Sequence, residues 1–84
     1  YQDGLDVYPN PSTGRFTIDI DSWTAEQIDL TIVNILGEEV YSTYLPPVHG
    51  IYKRSIDLGH CSRGIYFLSL SSEFGVQTRR MVIQ

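Results

Sequence analysis

Residues 15–20, RFTIDI, decide the fold class. Phe16, Ile18 and Ile20 fall on one face of an extended chain, and Arg15, Thr17 and Asp19 fall on the other. Strict period two marks an antiparallel strand with one face on a core and one toward water. Residues 27–34, QIDLTIVN, repeat the pattern, with Ile28, Leu30 and Ile32 opposite Gln27, Asp29 and Thr31. Residues 64–72, GIYFLSLSS, place Tyr66, Leu68 and Leu70 on one face and Ile65 and Phe67 on the other, a strand expected to be covered on both sides.

Turn chemistry spaces these strands. Leu36-Gly37 predicts a hairpin from the strand ending near Asn34 to one over 38–43. Pro46, Pro47 and Gly50 predict a loop over 45–50, because proline fixes φ and offers no ladder N–H. Over 51–58, Tyr52, Ile56 and Leu58 share a face with Arg54, whose charged head is expected to reach water at a sheet edge. Residues 73–75, EFG, turn the chain into a last strand over 76–83, and residues 4–8 supply a short first one. Thr24 and Gln27 fit a capping box, so one helical turn at most is expected over 22–27. About seven strands at this spacing predict an all-β fold, an Ig-like antiparallel β-sandwich.

The 84 residues are expected to form one domain over 1–84, with 1–4 as a linker remnant. Ten acidic and six basic side chains give a net charge of −4, which argues against a nucleic-acid partner. No apolar run approaches the roughly 20 residues that span a bilayer, so no membrane span is expected. The chain opens at Tyr1 without a charged n-region or an apolar h-region, so it is expected to be cut from a longer precursor. Cys61, the single cysteine, forms no internal disulfide and suits a small core position.

Candidate chemistry is sparse. Asp19 and Asp21 could begin a calcium loop, but the next acidic position is Trp23 and the required glycine is missing, so outward-facing strand charges explain them better. His49, His60 and Cys61 lack zinc-ligand spacing. Lys53-Arg54 and Arg79-Arg80 read as solvated strand faces that guard sheet edges. The six tyrosines and Trp23 could make a sugar-stacking platform, although tyrosines alternating in strands usually pack half-buried. No catalytic constellation stands out, so the chain is expected not to be an enzyme and to need no metal or cofactor.

One turn is unusually constrained. In residues 6–18, DVYPNPSTGRFTI, Pro9 fixes the exit from the first strand, Asn10 is held extended by the proline after it, and Pro11 suits the second position of a β-turn. Gly14 accepts a positive φ, and the turn is expected to swing the chain into RFTIDI, across to the other sheet.

The same stretch, YPNPSTGRF at 8–16, resembles the P-N-P-x-x-G-x-F opening of the C-terminal sorting domains of the Bacteroidota type IX secretion system. LTIVNILGEEV at 30–40 is similar to the family's strand, Leu-Gly turn and strand. IDLGHCSRGIYFLSL at 56–70 resembles its I-D-L segment leading to G-x-Y-x-L-x-L, and TRRMVIQ at 78–84 resembles its basic, then hydrophobic, terminus. Two positions depart: the terminal basic residue, usually lysine, is arginine, and Cys61 stands where a leucine-like residue is common.

The resemblance implies a secretion signal of the family's type A. An N-terminal cargo would fold in the periplasm and be led through the type IX outer-membrane translocon to the outer membrane and cell surface, or be secreted. A sortase-like peptidase would then remove the domain, and the cargo could be joined to anionic lipopolysaccharide. Pro9, Asn10, Pro11 and Gly14, with Arg79 and Arg80 on the last strand, which offers an edge, are candidate residues for translocon recognition. The motif positions Phe16, Gly64, Tyr66 and Val82 join them. The competing expectation is an Ig-like carbohydrate-binding or adhesion module of an extracellular enzyme, whose mark would be exposed aromatics.

Overall fold

The computed structural model describes residues 4–84. Period-two alternation becomes seven strands: β1 (Leu5–Tyr8), β2 (Arg15–Ala25), β3 (Ile28–Asn34), β4 (Glu39–Leu45), β5 (Val48–Asp57), β6 (Gly64–Ser72) and β7 (Gly75–Ile83). A three-stranded sheet, β1-β2-β5, packs on a four-stranded one, β4-β3-β6-β7, and neighbouring strands are antiparallel in both. The architecture is the expected Ig-like sandwich. Hairpins join β1 to β2, β3 to β4 and β6 to β7, and the chain changes sheet between the remaining consecutive strands.

The faces that alternate inward form the core. Ile18, Ile20, Leu30, Ile32, Leu58, Leu68 and Leu70 have 0% exposure, with Phe16, Ile28, Met81 and Ile83 nearly as enclosed. A chain of this length has a total stability of only about 4–13 kcal/mol. Truncating one such residue to alanine typically costs about 2–5 kcal/mol. Fold integrity therefore rests on few side chains.

Several expectations change in the structure. No helical turn forms over 22–27: β2 continues through Ala25, because Trp23, Thr24 and Ala25 pair with Gly50, His49 and Val48 of β5 after a bulge beyond Ile20. The expected loop over 45–50 shrinks to Pro46-Pro47, since Val48–Gly50 are already strand. Gly50 provides the positive φ of +106° that this stretch of β5 requires. Arg54 does lie on an edge strand, half-buried beside the hydroxyls of Tyr52 and Tyr41, and the Tyr52 hydrogen bond raises its pKa above the ordinary guanidinium value. The outer face of β6 is less covered than expected: Ile65 and Phe67 are half-buried, and no third layer lies over them among the described residues.

The long axis of the molecule, in an envelope of 33 × 22 × 18 Å, separates two ends. Arg15 pairs with Asp57, Asn34 with Tyr66 and Gly64 with Ile83, so the β1–β2, β3–β4 and β5–β6 connections and the end of β7 gather at one pole. Gly4, the Glu26-Gln27 and Pro46-Pro47 crossings and the β6–β7 turn lie at the other. Of the expected linker remnant, residues 1–3 lie outside the described residues, and the Gly4 carbonyl accepts a bond from Asp21 N–H (2.6 Å).

Candidate recognition surface

The β1–β2 loop is built around a buried serine. Ser12 is 6% exposed, and its hydroxyl accepts the Gly14 N–H (3.1 Å), a short side-chain turn that folds the loop on itself. Gly14 has a φ of +112°, and a Cβ there would lie 2.8 Å from the Cα and N of Gly59. Only glycine satisfies both constraints. The close approach lets the Gly14 carbonyl accept Leu58 N–H (2.7 Å), which ties the loop to the β5–β6 connection. Asp57 secures the same corner by accepting Gly59 N–H (2.9 Å) and pairing with Arg15 (3.3 Å). The Gly59 bond, assisted by Arg15, holds the Asp57 carboxyl below its ordinary pKa.

The loop then docks on the last strand. The Asn10 side-chain amide donates to the Arg80 carbonyl (2.9 Å), and its oxygen accepts Val82 N–H (3.1 Å). Ser12 N–H donates to the Val82 carbonyl (3.0 Å), and Gln84 N–H donates to the Ser12 carbonyl (2.8 Å), which completes a parallel bridge between Ser12 and Ile83. Asn10 thus acts as a surrogate strand residue, followed by two true ladder bonds.

One correction follows. The loop does not carry the chain to the other sheet: β1 and β2 are neighbours in one sheet, and only the loop reaches β7 in the other. β7 is an edge strand as expected, and the loop covers that edge from Arg80 to Gln84. An uncovered edge is a pairing hazard that proteins commonly close in this way.

The remaining candidate positions divide by burial. Phe16 is 3% exposed and belongs to the core, as does Tyr66 at 5%. Burial raises the Tyr66 pKa, so the hydroxyl stays a neutral donor to the Ser62 carbonyl (2.6 Å), closing the β5–β6 loop. Gly64 starts β6 opposite Ile83 with a φ of +150°. The two arginines separate by alternation. Arg79 turns inward and half-buried, bonding the Thr78 carbonyl (3.1 Å), Gln77 (3.4 Å) and the Leu5 carbonyl of the opposite sheet (3.5 Å). Arg80 and Val82 lie on the outer face, Arg80 exposed and Val82 half-buried, while Pro9 and Pro11 are exposed on the loop.

Residues outside the candidate set complete the pole. Asn34 accepts Leu36 N–H and Glu38 N–H (both 2.9 Å) and donates to the Glu38 carboxylate (2.8 Å), so one side chain organises the β3–β4 turn. Asn three residues before Gly37 is a readable turn signal. The docking role of Ser12 is not readable, since its backbone partners on β7 lie about 70 positions away in sequence. Ile35 and Leu36, 69% and 81% exposed, border a cleft of about 380 Å³ shared with Cys61, Arg63 and Ile65. Cys61 is half-buried and packs against the core. Among the described residues, no group of three or more His, Cys, Asp or Glu side chains is placed to hold a metal.

All four stretches with motif character therefore meet at one pole. The family model of the secretion system C-terminal sorting domain matches residues 6–84. The chain belongs to this family. Against curated proteins it finds no match. As a type IX C-terminal sorting domain, it is a signal for export toward the outer membrane, the cell surface or the medium, carried behind an N-terminal cargo. No helix among the described residues is long and apolar enough to cross a membrane. The motif residues of the sorting domain divide by place: Phe16, Gly14 and Tyr66 shape the pole from within, Gly64 opens β6 beside open space, and Pro9, Pro11, Arg80 and Val82 lie on the surface.

Proposed function

We propose that residues 1–84 act as one sorting unit, joined to the cargo through residues 1–4, and that the loop pole is what the type IX outer-membrane translocon reads. The observation that carries this reading is the family match over residues 6–84. The geometry supports it. Pro9, Pro11 and the Asn10 and Ser12 bonds to β7 hold the loop in one shape, so little ordering entropy is lost when a partner binds. Gly4 lies at the opposite pole, so a cargo preceding it leaves the loops uncovered.

On this reading the cargo passes through the periplasm folded, the translocon engages the pole, and a sortase-like peptidase cuts N-terminal to the sandwich. The freed cargo terminus is then available for transfer to anionic lipopolysaccharide. The domain serves as substrate and address, with no catalytic role. The test follows a cargo fused to residues 1–84 by mass spectrometry and immunoblot, with and without a working translocon. A cargo shortened by the domain and carrying a lipopolysaccharide ladder only with the translocon is expected. A full-length exported fusion would remove the cleavage and attachment steps.

A further inference from the structure

The outer face of the four-stranded sheet carries an apolar surface at the loop pole. Val33 of β3 stands opposite Phe67 of β6, and Ile65 opposite Val82 of β7. All four are half-buried on the solvent side of a two-layer fold. The cleft under Leu36 extends this surface past Ile65.

Its charges are distinctive. Of the six basic side chains, Arg15 pairs with Asp57 and Lys53 with Asp19, while Arg54 sits beside Tyr52 and Tyr41. Arg79 bonds Gln77 and two backbone carbonyls. Arg63 and Arg80 alone have no hydrogen-bond or ion-pair partner for their side chains among the described residues. Both belong to this face: Arg80 is the cross-strand partner of Phe67, and Arg63 lines the cleft with Ile65. An acidic chain has thus placed its two unpaired guanidiniums beside its half-covered outer apolar residues. Interfaces enrich arginine beside apolar anchors, and guanidinium suits planar carboxylate partners.

We propose that this face docks a protein surface of the export machinery that presents an apolar centre flanked by carboxylates. The inference rests on the sorting reading above and names the face and the chemistry of its partner. Val33, Ile65, Phe67 and Val82 supply the desolvated centre, and Arg63 and Arg80 set orientation and speed of encounter. Arg79, committed to holding the two sheets together, has no part in it.

The test measures translocon-dependent export of a reporter fused to residues 1–84. Arg63→Glu/Arg80→Glu should lower export at least about tenfold, as expected when complementary charge becomes repulsion. Arg63→Lys/Arg80→Lys should retain most of it, and Lys53→Glu on the other sheet should leave it unchanged. Thermal melts of the purified variants exclude unfolding as the cause. A photoreactive phenylalanine replacing Leu36 should crosslink to an outer-membrane protein of the machinery, and the charge-reversed variant should lose that adduct. Normal export of folded Arg63→Glu/Arg80→Glu would overturn the proposal, as would an adduct with lipopolysaccharide alone. Translocon-independent behaviour of the unmodified fusion would instead overturn the sorting reading.

Discussion

Replacing Asn10 with Ala removes one acceptor and one donor from the β7 edge, at 3.1 Å from Val82 N–H and 2.9 Å from the Arg80 carbonyl. Each neutral hydrogen bond contributes about 0.5–1.5 kcal/mol net. The exposed setting lets water take over part of the role, so the loss should total about 1–2 kcal/mol. For a domain of this size that lowers Tm by roughly 4–16 °C. Asn10→Asp should lie between, since it keeps the acceptor for Val82 but sets a carboxylate against the Arg80 carbonyl. Urea titration followed by circular dichroism gives the free energy, and amide exchange locates it. The Val82 amide should lose about 5–30-fold of its protection through local opening even where the Leu68 and Leu70 amides change less. An Asn10→Ala protein with unchanged midpoint and unchanged Val82 exchange would show that the loop holds β7 by other means.

Gly14→Ala should cost at least about 2 kcal/mol, from positive φ together with the backbone contact at Gly59, whereas Gly37→Ala, with φ +85° and open space around it, should cost only about 1 kcal/mol. Paired urea midpoints decide this. Tyr66→Phe should destabilise by about 1 kcal/mol by leaving the Ser62 carbonyl without its donor, measurable in the same titration. Asp57 and Glu73 have folded pKa values below the ordinary 3.8 and 4.5, held there chiefly by the Gly59 N–H and the Glu26 N–H respectively. Their contribution is therefore complete above those ordinary values and is lost as the pH falls through the depressed folded ones. Asp57→Asn and Glu73→Gln should each flatten the acid limb of Tm against pH, and an unaltered limb would count against the assignment.

Much of the fold was legible because burial on one face imposes period two on a strand, and Phe16, Ile18, Ile20, Leu30 and Leu68 carry it without interruption. Local signals failed where pairing overrode them. Thr24 and Gln27 look like a capping box, yet β2 runs on to Ala25 because β5 offers it a partner as far as Val48. The prolines at 46 and 47 marked a true break but exaggerated its length. The loop of the candidate surface was legible in Gly14, whose positive φ is a local limit. Its docking on β7 was not, because Asn10 and Val82 stand 72 positions apart. The adjacent arginines are instructive. Alternation alone assigns them opposite faces, but only the sheet order shows that Arg79 reaches Leu5 while Arg80 is left to solvent.

As proposed above, this sandwich is a sufficient address for the type IX route. The most direct measurement fuses residues 1–84 behind a periplasmically exported fluorescent reporter, in a bacterium with and without a working translocon, and scores surface and medium fluorescence. Signal outside the cell is expected only when the translocon works. Folded reporter held in the periplasm of both strains would contradict it.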